Sequence, residues 1–394
     1  TVYFSAITSA QSSPSFPRPI NPIFILKVTF LMSIPTYNLY NFVAQALENR
    51  YLIKYFYPWG EKGFENIIDH ISDNINGDTY QIVSTRINNF SKTRDPNDVR
   101  EPILLCHDQE PLDFNAYSET IMDNLNQLPD SLRKRIELKQ KTKTIDLNLR
   151  WVWPEYNFGK WTLLHSELNS VEVEKYNNTG LFRCAYWWAH APIAIDWYRF
   201  ACYDNRLQRQ CQDIKANFLI YARETTGKRE YRKQFLEHLQ NLENVQVGSF
   251  KDYTVTGDSS ATYDAYDFAH TNCSIVLETV YDQRIHLTEK TLRPIACGHP
   301  FMLLNGPGAL ETIRSYGFKT FDPFINESYD KEQLSNKRMD MVLKEMQRIN
   351  SLSNEEQTDI WKECNSIAEY NKQLFFNNRF ISSVKAELQK NVFV

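Results

Sequence analysis

The chain has no Cys-x-x-Cys pair, no Walker A sequence, no Gly-x-Gly-x-x-Gly fingerprint and no uninterrupted apolar run long enough to span a bilayer. Its seven cysteines, Cys106, Cys184, Cys202, Cys211, Cys273, Cys297 and Cys364, are odd in number and scattered. That argues against a zinc module and against a disulfide framework, and fits a reducing, cytoplasmic setting. Without a glycine loop of either phosphate-cradling type, ATPase and dehydrogenase readings weaken. The stretch "INPIFILKVTFLMSIP", Ile20 to Pro35, is apolar but is cut by Pro22 and Lys27. It is too short for a membrane span and lacks the basic start and small-residue cleavage site of a signal peptide. Met32 is the first methionine, so residues 1–31 are read as a leader or extension outside the core. An excess of positive charge is missing too: 44 Lys and Arg face 48 Asp and Glu, for a net charge of −4. No general basic surface for nucleic acid or anionic lipid follows from that balance.

What is present describes a globular α/β protein. At 394 residues the chain exceeds the size at which one core usually stops growing, so two domains are expected. In the first half, "YLIKYFY", "QIVSTRI", "PILLCHD", "LRWVWP" and "TLLHSE" are short β-rich runs ending in polar residues, separated by helical patterns such as "GFENIIDHISDNI". This alternation predicts a parallel sheet with functional residues at strand C-termini. A second unit opens at "KANFLIYAR", runs into the turn "ETTGK" and the helix "REYRKQFLEHLQNL", and continues through the strands "NVQVGSF", "CSIVLET" and "HPFMLLN". Strand, turn, helix and strand again is a Rossmann-like arrangement. The expected organisation is an N-terminal α/β domain over 32–205, a C-terminal Rossmann-like domain over 206–345 and a helical segment over 346–394. Within the last, Ser353 and Glu356 have the spacing of a capping box.

The stretch "IHLTEKTLRPIACGHPFMLLNGPGAL" carries the sharpest chemistry. Thr288, Glu289 and Lys290 open a helix whose unpaired N–H groups and dipole attract a phosphate. Lys290 adds a full positive charge, while Glu289 suits ribose hydroxyls. Gly298 is placed as the helix C-cap, and Gly-Pro-Gly opens the next helix. This segment resembles the donor-site motif of fucosyltransferase-like glycosyltransferases, of the type found in phages and large viruses, and "GFKTFDPFINESYD" resembles a segment of the same sequences. The resemblance covers residues 215–345. It implies a GT-B fold, two facing Rossmann-like domains closed by a C-terminal helical segment, with the sugar nucleotide held by the second domain.

Carried over residue by residue, the resemblance puts ribose on Glu289, donor phosphate on Lys290 and Arg229, and the donor sugar near Glu278, with Tyr281 in the loop between. The family has Asn after that Glu, whereas this chain has Thr279. Arg223, Thr226 and Lys228 in the strand-to-helix turn suit a pyrophosphate. No Asp-x-Asp occurs; Asp264 and Asp267 in "YDAYD" are spaced differently. The leaving diphosphate is therefore expected to be neutralised by cationic side chains, with no metal and no other cofactor. Transfer also needs a general base. "ILLCHDQEPLDF" ends a strand with Asp108 and Glu110, of which Glu110 is favoured because inverting members of the resembled family use a Glu of the N-terminal domain. His165 and Glu167 in "LLHSEL" form a second polar cluster. Trp187 and Trp188 could stack on an acceptor ring but are read as core.

The expected function is inverting sugar transfer from a nucleotide diphosphate sugar to a hydroxyl of a glycan acceptor, in the cytoplasm, or that of the host if the protein is viral. Two alternatives stand beside it. One is glycosylation of hydroxymethylated bases in phage DNA, for which "SLRKRIELKQKTKT", 131–144, is the one basic run. The other is a non-catalytic module that binds sugar nucleotides.

Overall fold

Apolar runs bounded by polar turns fold here as parallel strands. The computed structural model describes residues 39–56, 67–68, 72–73, 80–81, 101–106, 111–117, 161–180, 182–208, 213–248 and 259–393, all of them within the unit Thr36–Val394. After helix α1 (Leu39–Ala46), strand β1 (Tyr51–Phe56) pairs with the short antiparallel β2 (Ile67–Ile68). A two-residue ladder joins β3 (Ser72–Asp73) to β4 (Tyr80–Gln81). Next come β5 (Glu101–Cys106), β6 (Trp161–His165), β7 (Glu167–Leu168), helix α2 (Val171–Asn178), β8 (Phe182–Tyr186) and helix α3 (His190–Trp197). The first sheet has the order β2-β1-β5-β6-β8, and every pair after the first is parallel. Register places Ile103 beside Thr162 and Leu163 beside Cys184.

The second half repeats the logic. Strands β9 (Ala216–Ile220), β10 (Val245–Val247), β11 (Thr271–Leu277) and β13 (Phe301–Leu304) form an all-parallel sheet of order β10-β9-β11-β13. Strands β9, β11 and β13 are buried along their whole lengths, as expected of a parallel sheet covered on both faces. Helix α4 (Glu230–His238) links β9 to β10, and α5 (Ala265–Ala269) leads into β11. Because the chain leaves β9 toward β10 and returns on the other side as β11, the strand order reverses between β9 and β11. In open α/β sheets a crevice forms at such a reversal, beyond the strand C-termini.

Between β11 and β13 lie β12 (Ile285–His286) and helix α6 (Glu289–Cys297). β12 pairs antiparallel with β7, Ile285 against Leu168 and His286 against Glu167, so the segment entering α6 is tied to the end of β6. After β13 follow α7 (Ala309–Ser315), α8 (Ser335–Ser351), α9 (Asn354–Phe375) and α10 (Asn378–Val392). Helix α8 runs from Ser335 to Ser351 without a break at position 346. Its buried stripe of Met339, Val342, Met346 and Ile349 is one continuous helical face. The capping box is present: Glu356 N donates to Ser353 Oγ at 3.3 Å while Ser353 N donates to Glu356 at 2.9 Å. Helix α10 returns to the first sheet, where Arg183 donates to the Val392 carbonyl at 2.7 Å. Trp187 and Trp188 are fully buried, in keeping with a core role, and the Trp188 indole donates to the Leu287 carbonyl at 2.9 Å. Among the described residues no helix is long and apolar enough to cross a membrane.

Candidate functional site

Helix α6 is set in place by an internal carboxylate. Glu278, the first residue past β11, is fully buried. It accepts hydrogen bonds from Thr288 N at 2.9 Å, Thr288 Oγ1 at 2.6 Å and Thr291 Oγ1 at 2.6 Å, with Thr291 N at 3.3 Å. Thr288, the N-cap, in turn accepts from Lys290 N at 3.3 Å. Acceptor oxygens at a helix N-terminus are well matched to its unpaired N–H groups. Two expectations change as a result. Glu278, expected near a donor sugar, is fully buried as a helix cap with both oxygens engaged. Two of the first-turn N–H groups, those of Lys290 and Thr291, already have acceptors, so an anion would have to be met chiefly by side chains.

Those side chains are close by. A cleft of about 290 Å³ opens at the reversal point between β9 and β11, lined among others by Arg223, Arg229, Arg232, Lys290, Arg293 and Glu289. Glu224 adds a second carboxylate. Lys290 Nζ lies 2.7 Å from Glu289 Oε1 and 3.3 Å from Thr279 Oγ1. Burial raises the Glu289 pKa, but Lys290, His190 and Arg293 outweigh it and hold the carboxyl at about 2. So acidic a group is a poor general base near neutral pH, where a pKa near the working pH is best. It remains a strong acceptor for hydroxyls.

Arg232 ties the two strand ends together. It donates to the carbonyls of Glu224 at 3.0 Å, Leu277 at 3.0 Å and Glu278 at 2.8 Å. Buried to 3% exposure, its charge meets neutral oxygens, an arrangement that favours anions in the cleft. Arg293 lies over the faces of Tyr198 and Tyr221, each centroid 5.8 Å away, and donates to the Ser260 carbonyl at 3.0 Å.

Of the residues expected from sequence, Arg223, Arg229, Glu289 and Lys290 meet at this cleft. The other expected residues among those described do not line it. Thr226 is exposed and donates to Glu224 at 2.5 Å. Lys228 pairs with Asp113 at 2.6 Å. Tyr281 donates to the Ser335 carbonyl at 2.8 Å, stacks on Tyr231 at 4.4 Å and is covered by Arg338, so it supports the core. Thr288 is buried beneath the helix it caps. Asp108 and Glu110 lie outside the described residues, as does the basic run 131–144.

His165 and Glu167 are buried at the end of β6. Burial pushes the His165 imidazole down to about 4 and the Glu167 carboxyl up, the latter opposed by Arg284. Glu167 is engaged as an acceptor, from Leu112 N at 2.6 Å and from Ser170 Oγ. Among the described residues no group of three or more His, Cys, Asp or Glu side chains is arranged to hold a metal ion. Sequence reasoning passed over Arg232 and Arg293. Their signal was the helical spacing, three residues after Arg229 and four after Glu289, which places each pair on one helix face. No family model, curated protein or solved structure matches the chain.

Proposed function

We propose that this chain is a GT-B glycosyltransferase that moves a sugar from a nucleoside diphosphate sugar to a hydroxyl of a glycan acceptor, with inversion. One observation carries the reading: four cationic side chains, Arg223, Arg229, Arg232 and Lys290, line one cleft with the ionised Glu289 at the strand-order reversal of a parallel sheet. A ligand that suits this set has a diphosphate for the cations and vicinal hydroxyls for the carboxylate. In the proposed reaction a base takes the proton of the acceptor hydroxyl, and its oxygen attacks the anomeric carbon from the side opposite the diphosphate. The bond from that carbon to the diphosphate oxygen breaks, and the nucleoside diphosphate leaves. Arg229 and Lys290 stabilise the charge that develops on it, the role that preorganised donors play at a departing anion. Glu110, or Asp108 two positions before it, is the proposed base. The acidic Glu289 is assigned to binding.

A panel of UDP-, GDP- and TDP-sugars tests this, with release of free sugar and nucleoside diphosphate as the readout. Turnover of one donor is expected, falling about 100-fold in Lys290→Ala, the usual effect of removing one transition-state donor. Full donor turnover by Lys290→Ala, or no binding of any nucleoside diphosphate by the intact protein, overturns the proposal.

A further inference from the structure

We propose that Asp113 acts as an internal competitor for Lys228, so that the Asp113–Lys228 ion pair is exchanged for a pair between Lys228 and the bound anion when the cleft fills. The inference rests on the reading of that cleft as an anion site. The pair bridges the two halves of the fold at 2.6 Å. Asp113 belongs to the stretch that follows β5, and Lys228 to the turn Gly227–Arg229 that follows β9.

The two partners are held very differently. Leu112 N donates to Glu167 Oε1 at 2.6 Å, Phe114 N donates to Glu172 Oε2 at 2.7 Å, and Asp113 Oδ1 itself accepts from Ala116 N at 3.1 Å. The carboxylate is therefore fixed to the first half. The Lys228 side chain is 50% exposed and sits at the end of four methylenes next to Arg229, a cleft residue. In an exchange the ammonium moves and the carboxylate stays. Exposed ion pairs contribute little net stability, whereas a phosphate with several acceptor oxygens beside Arg229 offers Lys228 a stronger partner. The Asp113–Lys228 pair keeps one cation engaged and links residues 111–117 to the turn 227–229. A filled site releases that link.

Titration calorimetry with inorganic pyrophosphate tests the exchange on the intact chain, Asp113→Asn, Lys228→Gln and the double variant, with thermal melts to verify folding. Asp113→Asn is expected to tighten pyrophosphate about threefold, and to change it much less in the Lys228→Gln background, a coupling of the size that contacting pairs show. An unchanged affinity, or an equal gain with and without Lys228, overturns the proposal, the latter because it reports only the lost negative charge. Loss of binding in Arg229→Ala together with no effect of Asp113→Asn sinks the exchange but spares the anion site. If no protein binds pyrophosphate, both fail.

Discussion

At the residue scale the chemistry is concentrated in Glu278. Its oxygens satisfy two threonine hydroxyls and three backbone N–H groups, all buried. Replacement by Gln keeps the volume but turns one acceptor into a donor facing donors. Glu278→Gln should therefore lower unfolding free energy by about 1–3 kcal/mol, the cost of leaving buried polar groups unmatched, read as a reduced urea midpoint. An unchanged midpoint would mean that the helix N-terminus finds its acceptors elsewhere. The sequence resemblance places this carboxylate near a donor sugar. The residue type and its closeness to Thr288 were legible; that Thr288 and Thr291 would turn toward it was not, because that depends on where β11 ends relative to α6.

At the element scale α6 is the part most fully written in the sequence. Thr288 caps it and Gly298, at φ 66°, closes it in the left-handed region. Both depend on neighbours within a turn, so pattern alone suffices. Gly306, after β13, is different: a Cβ there would meet the Arg284 carbonyl oxygen at 2.1 Å. At Gly298 the nearest atom would be the flexible Lys372 side chain, at 3.2 Å. Gly298→Ala should cost about 1 kcal/mol from its backbone conformation. Gly306→Ala should cost about 3 kcal/mol, since it must push apart two backbone segments. Thermal melts of the two variants check the order; equal midpoints would show that the β12 segment yields freely.

At the scale of the whole molecule, stability carries a pH dependence set by burial. The ordinary histidine value is 6.5, and folded His165 holds near 4. The unfolded chain therefore takes up a proton that the folded chain refuses, and stability falls as pH drops from 6.5 toward 4. The shift corresponds to about 3 kcal/mol. Glu289, lowered from 4.5 to about 2, contributes stability that is present above pH 4.5 and lost as pH falls toward 2. Burial raises the carboxyls of Glu167 and Glu387, which act in the opposite sense. A His165→Gln variant isolates the first effect: its urea midpoint should change less between pH 7 and 4.5 than that of the parent chain. Parallel pH profiles would remove His165 as the cause.

The sequence by itself determined the α/β class, the strand-turn-helix units, the caps of α6 and α9, and the presence of Arg223, Arg229, Glu289 and Lys290 at element ends. Each of these follows from residues a few positions apart, through backbone propensity, periodicity and local hydrogen bonds. Tertiary structure alone decided that Glu278 turns inward and that Lys228 is drawn to Asp113, 115 residues away. Such partnerships depend on how the two parallel sheets bring distant strand ends together, and local propensity contains no record of that distance.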